Sequence, residues 1–158
     1  MSSSAGPFLL AVVALALGLP LGQGSAERSA ERSYVAQLAT PTTASSDAVR
    51  SGNTLYLAGH LGLDPATGEA PAQAADEARF LMESVAHTLA GAGFRMDDMV
   101  EVTVFSTDAT LNGTFNDVYQ SYFHGRFPAR SYVGATHLLH GAHFEVAAIA
   151  VRAGHLQL

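Results

Sequence analysis

The 158-residue chain contains no cysteine. That excludes disulfides, a thiolate nucleophile, a cysteine-based zinc site and a lipidated cysteine. Lysine is missing as well, since all eight basic residues are Arg. A Schiff-base lysine, a pyridoxal-phosphate enzyme and a phosphate-binding loop of the GK[ST] kind are therefore out of reach. Charge of either sign is sparse at 14% of residues, and 14 acidic side chains against the eight arginines leave a formal net charge of −6. A general nucleic-acid binder needs a basic face to neutralise phosphates, so the composition disfavours that class. The apolar run at residues 8–19 falls short of the ~20 residues a membrane-spanning helix requires. With 48% of its residues apolar, a chain of 158 residues leaves room for one compact domain after any leader is removed, not two.

Residues 1–26 carry no charged side chain. The apolar run is broken by Pro20 and Gly22, and Gly24-Ser25-Ala26 offers small residues where a signal peptidase cuts. This is the layout of a signal peptide. It predicts a periplasmic or secreted protein with no stable membrane association after cleavage; a start codon placed too far upstream would instead mean a cytoplasmic one. Ser25-Ala26-Glu27-Arg28 is repeated as Ser29-Ala30-Glu31-Arg32 and a Thr/Ser-rich stretch follows, so that residues 27–46 read as linker. The folded domain is expected over 47–152, with 153–158 as a tail.

Within that domain the periodicity alternates. Residues 48–58 contain two short apolar runs around Ser51-Gly52-Asn53, the signature of a hairpin. Residues 60–71, with Asp64-Pro65, Gly68 and Pro71, read as loop. Residues 73–92 form an amphipathic helix with Ala78, Leu81, Val85, Leu89 and Ala92 on one face, ended by Gly91 and Gly93. Val100, Val102 and Val104 alternate with Glu101 and Thr103 as a half-buried strand. Phe115, Val118, Tyr119 and Tyr122 mark a second helix, and residues 130–135 and 144–152 two more strands. The order β-β-α-β-α-β-β implies an α+β domain, a mixed sheet with two helices packed on one face. The other face is apolar too, and a further copy of the chain is the simplest cover.

Few side chains remain that can do chemistry. Glu145 opens the last strand and shares a face with Ala147, Ile149 and Val151. Burial there would raise its pKa and suit it to acid–base work, whereas a wet strand end would leave it an ordinary edge carboxylate. Arg130 follows Phe127-Pro128-Ala129 at the mouth of a strand. Its fork fits a planar carboxylate through parallel hydrogen bonds, though a surface ion pair explains it equally well. His137, His140 and His143 recur every third residue. Three imidazoles suffice for zinc, but residues three apart point to opposite faces of a strand, so a polar loop is preferred and no metal is assigned. Ser131 lacks the GxSxG elbow of a serine hydrolase.

The segments Gly52-Asn53-Thr54-Leu55-Tyr56-Leu57-Ala58-Gly59-His60 and Leu63-Asp64-Pro65-Ala66-Thr67-Gly68 resemble the opening of the RidA/YjgF family of reactive-intermediate deaminases. The likeness continues through Ala90-Gly91-Ala92-Gly93, Val104-Phe105 and Phe115-Asn116-Asp117-Val118-Tyr119, then Tyr122-Phe123 and Phe127-Pro128-Ala129-Arg130-Ser131, and ends with residues 144–151. It implies a chorismate-mutase-like fold, a homotrimer with clefts between subunits, and cofactor-free hydrolysis of enamine or imine acids to 2-keto acids and ammonia. Through it Arg130 corresponds to the arginine that binds the substrate carboxylate, Glu145 to the glutamate that orients water, and Asn116 to a helix-borne asparagine of the site. Backbone groups near Gly59 and Tyr132 are expected to line the pocket. Two positions depart from the family pattern. Ser45, after Ala44, stands where the family has a cleft-lining tyrosine, which widens the pocket, and His60 replaces a glutamine and offers a hydrogen bond or proton shuttle.

A small carboxylate-bearing imine and the homotrimer are thus the expected partners, with no nucleic acid. The main alternative is a non-catalytic small-molecule binding module on the same trimeric scaffold. Endoribonuclease activity, attached to some members of the family, sits poorly with a net charge of −6 and no lysine. A holdase-like role has only the hydrophobicity behind it.

Overall fold

The computed structural model describes residues 31–35 and 44–153. The expected signal peptide and nearly all of the expected tail lie outside the described residues. Eight main elements follow in order: β1 (Arg32–Val35), β2 (Ala48–Ser51), β3 (Thr54–Leu61), α1 (Ala74–Gly91), β4 (Met99–Ser106), α2 (Asn112–Gln120), β5 (Ala129–Gly134) and β6 (Phe144–Val151). The strands form one sheet in the order β1-β2-β3-β6-β4-β5. All neighbours are antiparallel except β4 and β5, which run parallel across the α2 crossover. The expected α+β architecture, a mixed sheet with two helices on one face, is what the chain adopts.

Local sequence explains most boundaries. Gly52 sits at φ +61° in the β2–β3 turn, a conformation that favours glycine. Asp76 and Glu77 occupy the first turn of α1, where negative charge offsets the exposed N–H groups. The helix stops at Gly93, φ +77°. Gly93 N–H donates to Ala90 C=O and Phe94 N–H to Leu89 C=O, at 2.9 and 2.8 Å, the paired closure of a left-handed C-terminal cap. Ala78, Leu81, Val85 and Leu89 are completely buried, so the expected stripe is the one that packs. It meets Leu55, Val102, Val104, Val146, Ala148 and Ala150 from the sheet, while Phe115 and Tyr119 of α2 complete the core next to Phe144.

Three expectations need correction. Part of the expected linker, Arg32–Val35, is a strand paired antiparallel with β2. Its side chains are mostly exposed, so main-chain bonding holds it and no apolar pattern announces it. His60 and Leu61 belong to β3 rather than to the loop. A register shift between Leu57 and His60 absorbs the irregular Ala58-Gly59 step, which in sequence reads as a strand end. Val100 is exposed while Val102 and Val104 are buried, because the register also shifts between Met99 and Glu101.

The helix-free face of the sheet carries Tyr56, Glu101, Thr103, Phe105, Glu145, Ala147 and Ile149. Tyr56 remains 51% exposed and Val151 40%. This is a largely apolar face with two acids on it.

Candidate functional site

Arg130 is the second residue of β5 and lies beside Val102 of β4 on the helix side of the sheet. Its guanidinium donates to Asn116 Oδ1 at 2.7 Å and stacks over the Tyr119 ring, 4.7 Å from the centroid. Asn116 and Tyr119, three apart on α2, present one helical face to it. Tyr119 is nearly buried, braced by Phe115, Phe123 and Phe127, and burial pushes its phenol up to about 12. The arginine thus has two of its sides fixed, and a cleft of about 290 Å³ adjoins it, walled by Phe127 and Pro128. A cation held this way is suited to a ligand carboxylate.

Glu145 is the second residue of β6, beside Leu61 and Phe105 on the helix-free face, and only half-buried. Its carboxylate rests against Gly59, where a side-chain Cβ would collide with Oε1. The bulge and the glycine together let the acid lie over the β3 backbone.

Within one chain Arg130 and Glu145 do not meet. They flank β4 three positions apart, at Val102 and Phe105, an odd offset that turns them to opposite faces. Strand spacing and rise put their Cα atoms about 14 Å apart. Asn116 joins Arg130, and Gly59 joins Glu145, so the expected residues fall into two half-sites. Tyr132 belongs to neither cleft: its ring turns into the core against Phe115, and only its main chain lies near Arg130.

Ser45 and His60 border a third region, a cavity of about 600 Å³ between α1 and the end of β3 that Gly59 also lines. His60 is 6% exposed, and its Nδ1 lies 3.1 Å from Ser84 Oγ. Burial holds its pKa below the ordinary 6.5, with the backbone and charge of Asp47 opposing the shift. An interior imidazole with one nitrogen tied to Ser84 is a wall of the cavity, and it does not reach Glu145 as a proton shuttle within this chain.

The three-histidine segment is the loop between β5 and β6, with His137 and His140 exposed and His143 held at its end. His143 Nδ1 lies 2.7 Å from Glu77 Oε2, while Glu77 Oε1 accepts from the backbone N–H groups of His143 and Phe144 at 2.7 and 2.8 Å. His140 adopts φ +56°, and His137 lies 3.2 Å from the Thr136 hydroxyl. Among the described residues no cluster of three or more histidines and carboxylates is placed to hold a metal. Glu77 went unnoticed in the sequence. Its signal was there, an acid at i, i+4 and i+8 with Leu81 and Val85 on the buried stripe of α1. A fully buried carboxylate satisfied by three donors ties that helix to the start of β6, one residue before Glu145.

The fold and these half-sites define a small α+β domain that presents an arginine cleft on one side of its sheet and an acid on the other. The family described as Endoribonuclease L-PSP matches residues 36–152, and the chain belongs to it, that is, to the RidA/YjgF family. It is 38% identical over 108 residues to a 2-iminobutanoate/2-iminopropanoate deaminase of Bos taurus, covering 68% of this chain and 79% of the relative. To the enzyme of that name from Mus musculus it is 35% identical over 108 residues, 68% of this chain and 80% of the other. The structure of Escherichia coli TdcF with bound serine superposes with a TM-score of 0.67 at 31% identity, over 80% of this chain and all of that one. The Escherichia coli YjgF gene product gives 0.67 at 32%, over 76% and 94%.

Proposed function

We propose that this protein hydrolyses 2-imino and 2-enamino acids to 2-keto acids and ammonia, as a homotrimer whose sites lie between subunits. The observation that carries the reading is the Arg130 guanidinium, tied to Asn116 and stacked on Tyr119 beside a small cleft. The deaminase names of relatives more than a third identical support it. So does the exposed apolar face that holds Glu145, because covering it with a second protomer would desolvate the acid and give it an arginine from the neighbour.

The chemistry then needs two residues. Arg130 grips the substrate carboxylate with charge-assisted bonds worth about 1.5–3 kcal/mol and sets the imine carbon beside a water at Glu145. Glu145 takes a proton as the water oxygen bonds to that carbon, and the C=N bond becomes a single bond. It returns that proton to nitrogen and then relays the hydroxyl proton to nitrogen as well, so that the C–N bond breaks, the carbonyl forms and ammonia leaves. The test is ammonia release from imino acids generated in situ by an amino-acid oxidase. Arg130→Ala is expected to reduce kcat/KM by at least about 10-fold, the worth of one such contact. Release of ammonia at the wild-type rate by that variant would refute the role given to Arg130. Ser45, in place of an aromatic wall, is what favours the second reading, a trimeric binding module. Carboxylate binding without any turnover would establish it.

A further inference from the structure

We propose that the cleft beside Arg130 seats the side chain of the substrate as well as its carboxylate, and that it selects 2-imino acids with an aromatic side chain. The inference rests on the deaminase reading and names the substrate class for it. Four rings form a ladder along α2 and the approach to β5. Phe115 packs on Tyr119, Tyr119 on Phe123 and Phe127, and Phe123 meets Phe127 edge-on. The first three are buried, whereas Phe127 is 54% exposed. It is the one rung with a free face, and its neighbours hold it in place. Tyr119, the ring under the Arg130 guanidinium, is also the ring that stacks on Phe127, with planes 25° apart. Arg130 and Phe127 both line the cleft, so a carboxylate on the fork and a ring on Phe127 would be neighbours in one space.

The lining specifies the occupant. Phe127 and Pro128 give a rigid apolar wall, and Asn116 and Gln120 are neutral. Of the residues lining the cleft, Arg130 alone is charged; Asp117 and Arg126, next in sequence to two of them, are exposed and stand outside it. A side chain ending in a cation would meet Arg130 with no carboxylate in the lining to offset it. One ending in a carboxylate would compete for the same fork. An apolar side chain meets neither obstacle, and a flat one gains a stacking contact from a ring that is already fixed. The cleft holds about 290 Å³. That is roughly ten waters at about 30 Å³ each, comparable to the dozen or so heavy atoms of an aromatic 2-imino acid. The alanine-derived imine, with about half as many, would leave much of it wet. An oxidase or dehydrogenase acting on an aromatic amino acid is the class of reaction that must supply such an imine.

The test uses the full chain and imines generated in situ from phenylalanine, leucine and alanine. The kcat/KM for the phenylalanine-derived imine is expected to exceed that for the alanine-derived one at least about fivefold, and that for the leucine-derived one at least about twofold. Phe127→Ala is expected to lower the phenylalanine-to-alanine ratio at least about fivefold through KM, with its thermal midpoint and assembly mass confirming the fold. If that variant unfolds or comes apart, Phe127→Leu carries the test. It keeps the apolar bulk, gives up the flat ring, and should lower the ratio at least about twofold. A wild-type ratio near one, equal kcat/KM for the phenylalanine- and leucine-derived imines, or a ratio that the substitution at Phe127 leaves in place overturns the subsite while leaving the deaminase reading intact. No turnover of any of the three imines overturns both.

Discussion

Arg130 and Glu77 show two ways of holding a charge in this fold. Arg130 keeps part of its fork towards a cleft, whereas every oxygen of Glu77 is spent on the chain itself. Glu77→Ala removes the acceptor from two backbone N–H groups and an imidazole, and should cost about 2–5 kcal/mol in denaturant unfolding. Glu77→Gln keeps a carbonyl for the two amides and should cost about 1–2 kcal/mol. Equal losses for the two variants would show that the amide bonds are not what matters. His60 sets a pH dependence. Its folded pKa lies below the ordinary 6.5, so the unfolded chain binds the extra proton first. Stability is therefore unaffected by this group above about pH 7 and falls as pH drops through 6.5 towards the folded value. Thermal midpoints measured from pH 7.5 to 5 should decline less in His60→Gln than in the wild type, and parallel declines would remove His60 as a cause.

At the scale of elements, two glycines of one strand–loop segment separate function from folding. A Cβ at Gly59 meets the end of a flexible side chain, the Glu145 carboxylate, whereas one at Gly62 meets the main-chain carbonyl of Glu77. Gly59→Ala should keep the unfolding midpoint within a few degrees, yet lower imine hydrolysis at least about 10-fold by displacing the acid. Gly62→Ala should destabilise the fold by about 1–3 kcal/mol, because helix and loop must part. If Gly59→Ala hydrolysed imines normally, Glu145 would not need its seat. The elements themselves were readable where burial enforces a period. The α1 stripe and the β6 alternation appear in the structure as in the sequence, because each faces a single apolar layer. Irregular backbone hid the rest. The bulges at Ala58-Gly59 and Val100 put residues out of phase with no special side chain to mark them, and β1 is a strand by main-chain pairing alone. Arg130, Asn116 and Glu145 could be picked out as polar residues at strand mouths or on a helix face, but which of them meet depends on the parity of positions across β4. That parity appears only once the strands are in register.

On the scale of the whole molecule, the opposite orientation of Arg130 and Glu145 makes a demand that no single chain can meet. If the sites lie between protomers, each needs an arginine from one copy and an acid from its neighbour, so neither residue's own chain matters. Arg130→Ala and Glu145→Gln should each be nearly inactive alone. Unfolded together and refolded, or co-expressed, they should form mixed assemblies in which about a quarter of interfaces pair an intact arginine with an intact acid. Ammonia release from an imino acid should then recover to about a quarter of the wild-type rate at equal total protein. Simply mixing the two preformed assemblies, without subunit exchange, should recover nothing. Failure to recover in mixed assemblies verified by mass would mean that one chain supplies both groups, and the division of the site across the sheet would have to be given up. Recovery localises the reaction to the one place where the helix-free face of one protomer can reach the Arg130 cleft of the next.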